Sequence, residues 1–319
     1  MRRDDQKDLP SLLARRRNDQ LAGRLFFLFS IIPVGLAILI LIMLVYKSWP
    51  MMQTHSLLQM LAGRVWKPDD GLFGYWPFIT GTIWVTLMAL IIAVPPCLLS
   101  AIYLSEYASH GLRTITKPLL DLLAAIPSVV YGVWGALAIV PFIQYKLGPY
   151  LRHNFANIPF LGSNNPTGFG ILAGAVVLAV MIAPFIIAIL YEIMNNIPKG
   201  LKEASLAVGA TKLQTVRWVV LPQSMPGIIA SVVLGASRAL GETMAVLMVV
   251  GNVAQVPHSI LDAAYPLPAL IANNYGELMS IPLYESALMT AALILLVIIL
   301  MFNITSALVL QRVLGRKWV

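Results

Sequence analysis

Residues 203–222 read EASLAVGATKLQTVRWVVLP. The stretch carries Glu203, Lys212 and Arg217, and apolar segments too long for soluble helices flank it on both sides. A polar helix-turn-helix between two apolar spans points to a docking surface. Gly209 has no Cβ and so tolerates the left-handed backbone that ends one short helix and starts the next. Pro222 is expected to stop the second helix before the next span begins.

Outward from this insert the chain is mostly hydrocarbon. Of its 319 residues 59% are hydrophobic and 11% charged, with a mean hydropathy of +0.81, outside the range of soluble globular proteins. A crossing needs about 20 apolar residues for a hydrocarbon core of about 30 Å. Six candidates satisfy this: about 25–45, 78–104, 117–142, 169–190, 227–250 and 286–311. The expectation is an all-α polytopic membrane protein with both termini on one side. The run Leu25 to Tyr46 is long for the apolar region of a cleaved signal and reads as a retained first span.

Charge chooses the side. Lys and Arg number seven in residues 1–24, two after span two, four around the polar insert and three after Gln311, against three, two and none in the alternate loops. Sixteen against five places the termini and the insert in the cytoplasm, and Arg238, inside span five, completes the total of 22. The net charge of +8 is thus orientation, not nucleic-acid binding. Residues 1–24, with Arg15, Arg16 and Arg17 in a row, read as a solvated basic tail resting on anionic lipid, and residues 25–319 as the membrane domain. Cys97 is the only cysteine, which excludes an intrachain disulfide and a cysteine-based zinc site.

Along the chain, the loop from Lys47 to Pro77 reads as irregular and span two as broken by Pro95 and Pro96. Thr82 and Thr86 share a helix face, where they either line a path or bond to carbonyls of their own helix, the second being favoured. In span three Ile126-Pro127-Ser128-Val129-Val130-Tyr131-Gly132 suits a helix bending around a cavity, with Ser128 and Tyr131 facing it. Gly170 and Gly174 form a GxxxG pair for close helix packing. The long loop from Gly251 to Glu285 holds a short helical candidate at Ala269 to Asn274.

Span five contains Arg238-Ala239-Leu240-Gly241-Glu242-Thr243. A charge at this depth costs about 2.5–3.5 kcal/mol on insertion scales and so faces protein or water. Counted from the start of span five, Arg238 lies roughly 16 Å along the helix at about 1.5 Å per residue, near the midplane. Glu242, four residues on, is expected over the same face. Either the two neutralise each other structurally, or Arg238 offers a bidentate fork to a tetrahedral oxyanion while Glu242 holds it in place and accepts a proton-bearing phosphate oxygen.

The spacing of Glu203, Ala204, Ser205, Gly209, Val219, Leu221 and Pro222 resembles the EAA loop of ABC importer permeases, with Ser205 and Val219 as mild departures. Together with AIYLSEYA at 101–108, IPSVVYG at 126–132 and RALGETMAV at 238–246, it is similar to the permease subunits of the Pst phosphate-specific importers, nearer the C-type than the A-type, over about residues 78–311. The resemblance implies the type I importer permease fold in a bacterial inner membrane, with a coupling loop at about 192–226. It also implies a second, A-type permease, a dimer of a B-type ATPase that uses ATP and Mg, and an extracytoplasmic S-type phosphate-binding protein. Arg238, Glu242, Thr243, Ser128 and Tyr131 would line the substrate path, and Glu203, Ala204, Ser205, Gly209, Leu221 and Pro222 would couple to the ATPase. No Gly-Lys dipeptide occurs, so the chain holds no P-loop, and it is expected to be a transport subunit with no cofactor of its own.

Three other classes were weighed. A secondary transporter should show an internal repeat with paired broken helices, and none is read here. A membrane enzyme would need a polar constellation, whereas His55, His110, His153 and His258 are scattered. A permease of the same build for sulfate or molybdate is the nearest alternative, because RALGE is shared with such permeases.

Overall fold

The computed structural model describes residues 5–155, 158, 160–162, 165–276 and 282–315. Among these, six helical segments are long and apolar enough to cross a membrane: Ala22–Thr54, Trp76–Tyr107, Ser128–Phe155, Ile171–Asn195, Lys212–Leu240 and Leu283–Arg312. They alternate in direction. One end of the bundle carries the Gly209 turn and is called the knob end; the other carries the segments 55–75 and 251–276 and is called the loop end.

The basic N-terminal stretch is helical from Asp5 onward: α1 runs unbroken from Asp5 to Thr54, with Arg15, Arg16 and Arg17 within it. The following loop is also more ordered than expected, because α2 (Leu57–Ala62) leads into an antiparallel ribbon, β1 (Trp66–Lys67) and β2 (Leu72–Phe73), closed at Gly71 with φ +69°. Its apolar cross-strand pair explains why: Trp66 sits opposite Phe73 and packs edge-on to Phe73 and Phe78. The next helix, α3 (Trp76–Ile102), is not broken at Pro95 and Pro96. Both prolines lie on its exposed face, opposite the seam of Ala89, Ala93, Cys97 and Ala101 that packs on the core. A π-helical turn, Tyr103–Tyr107, ends it.

Span three differs most from expectation. The residues 117–142 are not one helix: α4 (His110–Ala125) ends, Ile126 turns extended at φ −60°, ψ +129°, and α5 starts at Ser128. A residue before proline is pushed out of the helical region, and Pro127 does this to Ile126. α4 buries no residue, is exposed along most of its length and lines Arg113, Lys117 and Asp121 along one face at spacings of four, so it is an exposed amphipathic helix and not the start of a span. Beyond α5 (Ser128–Trp134) the segment continues through α6 (Val140–Phe142) to α7 (Gly148–Phe155), with π-turns at Gly135–Ile139 and Ile143–Leu147. Each π-turn lies two residues before a proline, Pro141 and Pro149. Widening the turn there makes room for a ring that would clash with the carbonyl four residues back.

α8 (Ile171–Asn195) is the axis of the fold, packed along α3, with Gly174 beside Val85 and Cys97 Sγ donating to Ala183 O at 3.7 Å. The GxxxG pair is divided. A Cβ on Gly174 would lie 3.3 Å from Val85 of α3, a helix contact, but Gly170 stands before the helix and lets the carbonyls of Leu261 and Asp262 approach to 2.7 and 2.6 Å of the same position.

At the knob end, α9 (Lys199–Ala207) and α10 (Lys212–Thr215) flank the turn. Pro222 does not stop the helix. A fourth π-turn, Val216–Val220, again ending two residues before a proline, joins α10 to α11 (Leu221–Leu240). Span five therefore occupies 212–240 and not 227–250. The chain then breaks at Gly241–Thr243, resumes as α12 (Met244–Leu247) and enters the loop end at Gly251, φ +92°. The short helix expected there is α13 (Leu267–Asn274). Its first N–H donates to Thr82 Oγ1 (2.9 Å), while Thr82 donates to Phe78 O (2.7 Å), so this threonine is structural. The last span, α14 (Pro282–Gly315), packs on α1 and is tied to it by Lys47 and Glu285 at 2.6 Å.

Candidate functional site

Two helices are interrupted part-way along the bundle, and the interruptions face each other. In span three the break at Ile126-Pro127 is stapled by Tyr131, whose buried hydroxyl donates across it to Leu123 O at 2.9 Å. In span five, Glu242 Oε1 accepts from the Ala245 N–H at 3.2 Å and caps α12, and Thr243 Oγ1 donates to Gly241 O at 3.3 Å. The two restarted pieces touch at Gly132, where a Cβ would meet Met248 Sδ at 2.7 Å and Ala245 Cα at 3.1 Å. Two broken helices thus meet here, where hydropathy predicts one continuous span over 117–142. Irregular backbone at membrane depth is tolerated where it is buried in protein or lines a watered cavity.

Arg238 stands at the last turn of α11, beside both breaks. Its guanidinium lies 5.3 Å over the Phe185 ring, and Nη2 is 3.5 Å from Ala124 O, at the tip of α4. Phe185 is 14 residues from the start of the 25-residue α8, so the arginine is level with the middle of the bundle. Its depth thus comes from its neighbours, since its helix begins 15 residues earlier than expected.

Arg238 and Glu242 do not share a face. The helix ends at Leu240, which carries Glu242 out of the i,i+4 register, and no ion pair joins the two among the described residues. Glu242 faces α3 and α13, in a crevice with Thr82, Thr86 and Pro266. Neither the mutual neutralisation nor the bracing of Arg238 by Glu242 expected from spacing is realised. The cation, half-buried, has an aromatic face and one distant carbonyl in place of a counter-ion. Ser128 opens α5, half-buried, on the far side of the Pro127 break. A cavity of about 450 Å³ between α4 and α8 reaches from Arg113, Lys117 and Asn196 near the knob end up to Ala124 and Phe185, the two residues that hold Arg238.

The knob itself is built locally. Gly209 has φ +85° with open space around it, Val208 beside it is 85% exposed, and Glu203 and Ala204 are exposed on α9. Ser205 and Thr215 share a hydroxyl hydrogen bond of 3.0 Å that clamps α9 to the following helix. Thr211 and Gln214 form a reciprocal capping box at the start of α10. Leu221 and Pro222 are half-buried where span five leaves the knob. Sequence reasoning missed Phe185, Ala124, Glu106 and Lys202. For Glu106 the signal was present, a glutamate inside AIYLSEYA next to a long apolar run; for Phe185 and Ala124 there was none.

Residues 98–318 match the family described as binding-protein-dependent transport system inner membrane component. The phosphate transport system permease protein PstC of Haemophilus influenzae is 37% identical over 293 residues, covering 91% of this chain and 92% of that protein. The probable ABC transporter permease protein YqgH of Bacillus subtilis is 34% identical with the same coverages, and the probable PstC of Methanocaldococcus jannaschii is 31% identical, covering 87% and 89%. Among solved structures, a chain of the MetNI methionine ABC transporter in inward facing conformations shares the fold, with TM-score 0.53 and 23% identity over 75% of this chain and 94% of that one.

Proposed function

The chain belongs to the binding-protein-dependent transport system inner membrane component family, and from that premise we infer that it is the permease subunit of an ATP-driven importer carrying inorganic phosphate into the cytoplasm by alternating access. It is a multi-pass inner membrane protein and a transport component that associates with other ABC transporter subunits.

The observation that carries the substrate class is Arg238. Arg238 holds a guanidinium at mid-bundle, and among the described residues no carboxylate lies in ion-pair range of it. Isolated charge in a low-dielectric interior is strongly unfavourable, and a passing oxyanion relieves it through paired N–H donors. The weak hold of Ala124 O and the Phe185 face positions the fork without saturating it. Phosphate near neutral pH still carries a proton, and Glu242 in the neighbouring break offers a carboxylate oxygen to accept a hydrogen bond from it, whereas sulfate has no proton to donate and is repelled. Ser128 and Thr243 flank the path, while Tyr131 shapes it by holding the Pro127 break closed.

The charge bias along the loops supports a cytoplasmic knob end with both termini on that side. There the exposed Val208–Gly209 tip, with Glu203, Ala204 and Ser205 behind it and Leu221 and Pro222 at its exit, fits the groove of a partner ATPase dimer of the B-type. That partner supplies ATP and Mg, since this sequence holds no P-loop. A second, A-type permease completes the path, and an S-type phosphate-binding protein delivers substrate at the loop end.

Uptake of radiolabelled phosphate in cells lacking their own high-affinity importer, supplied with the chain and these partners, tests the reading. Arg238→Gln is expected to lower uptake about 100-fold or more, as loss of a charge-assisted contact of about 3 kcal/mol implies, with the complex still assembled. Undiminished uptake in the assembled variant would make the arginine structural. Competition by excess sulfate or molybdate would move the assignment to another oxyanion.

A further inference from the structure

The corner where α3, α4, α8 and α9 meet at the knob end is occupied by two adjacent residues of the AIYLSEYA segment, Ser105 and Glu106. Lys202 of α9 places its ammonium 2.6 Å from Glu106 Oε1, with the two side chains 19% and 9% exposed, and donates again to Met194 O at the end of α8 (3.3 Å). Ser105, one residue earlier, accepts at its carbonyl from Arg113 Nη2 of α4 (2.8 Å), and its hydroxyl rests on Met194 Sδ (3.8 Å). From Arg113, α4 rises 11 residues, about 16 Å at about 1.5 Å per residue, to Ala124, whose carbonyl faces the Arg238 guanidinium.

We propose that Glu106 is a positioning residue that joins the knob to the substrate arginine: the Glu106–Lys202 pair makes α9 and the end of α3 one rigid body, and α4 transmits its movement to Arg238. The build of α4 suits this. It buries no residue, so little side-chain packing fixes it along its length. It is held by Arg113 and Lys117–Glu192 near its base and by the Leu123 and Ala124 carbonyls at its tip. A helix held mainly at discrete points moves with them. The cavity along its inner side leaves room for that movement. Ion pairs on open surface contribute little, but this one is largely screened from solvent, and removing one partner leaves the other charge poorly compensated. The inference rests on the importer reading above.

The test uses the whole complex in liposomes, with ATP hydrolysis and phosphate uptake measured together. Glu106→Gln and Lys202→Met are expected to keep hydrolysis within about twofold and to lower phosphate moved per ATP about tenfold; the exchanged pair, Glu106→Lys with Lys202→Glu, restores the ratio to within about threefold. An unchanged ratio in both single variants, hydrolysis falling in parallel with uptake, or an exchanged pair no better than the singles overturns it. Should the native complex move no phosphate, the substrate reading falls, and the inference is still decided by spin labels at exposed Leu206 and Leu99 in a Cys97-free background. Their separation is expected to stay fixed between nucleotide states in the native complex and to spread in Glu106→Gln. A separation that varies in the native protein overturns the rigid link.

Discussion

Two glycine-containing interruptions divide span five from its surroundings, and they arise differently. At Gly209 the backbone is left-handed, φ +85°, and nothing lies within 4 Å of a would-be Cβ. The turn is a local decision, made by one residue type in open space and reinforced by the Thr211–Gln214 capping box. At Gly241 the backbone is ordinary, φ −91°, and the only atoms near a would-be Cβ are carbonyls of its own helix at 3.9 Å. That break is a tertiary decision: α12 packs across α5 at Gly132, and Glu242 caps the new helix at Ala245. A turn of this kind can thus be written in a short motif, while a cluster assembled from two broken helices cannot.

Substitution of the glycines separates the two cases. The largest effect is expected at Gly132, where Val would drive into Met248 and the backbone of Ala245. Overpacking of this kind costs about 1–3 kcal/mol, so the apparent unfolding temperature in detergent should fall and phosphate uptake with it. Unaltered stability would mean that α12 is free to shift and the break is not packing-determined. Gly209→Ala comes next, at about 1–2 kcal/mol of left-handed strain. It should reduce recovery of the ATPase in co-purification several-fold, with Gly209→Asn milder because asparagine accepts this conformation more readily. Equal recovery in the alanine variant would show that the turn is not set by the glycine. The smallest effect is expected at Gly241→Ala, within about 0.5 kcal/mol, with unchanged transport. A large loss there would show that the break depends on glycine after all and that the two interruptions are alike.

The spans were legible wherever apolar length alone decided them: 25–45, 78–104, 169–190 and 286–311 all overlap helices long and apolar enough to cross a membrane. They were misplaced where proline chemistry and context compete. Pro127 ended a helix that hydropathy carried through it, because α4 lacks a buried face to hold the chain straight. Pro222, expected to end a helix, did not, because a π-turn absorbed its ring and the continuing span outweighed the lost hydrogen bond. Pro95 and Pro96 were tolerated inside a continuous α3 without a π-turn, on its exposed face away from the α3–α8 seam. The partnership of Arg238 and Glu242 was inferred from spacing that holds only within one continuous helix, and the helix stops between them.

What the sequence by itself determined is what depends on residue type and near neighbours: an all-helical membrane chain, its charge bias, the left-handed turn at Gly209, and an arginine inside a long apolar run. What only the tertiary structure decided is where helices are cut and which ends meet. It set Arg238 against Phe185 and Ala124, moved Glu242 to cap another helix, and brought Glu106 to Lys202 from 96 residues away. Such contacts follow from packing helices whose backbone hydrogen bonds must all be satisfied without water, and no local pattern encodes which of several permitted breaks that packing selects.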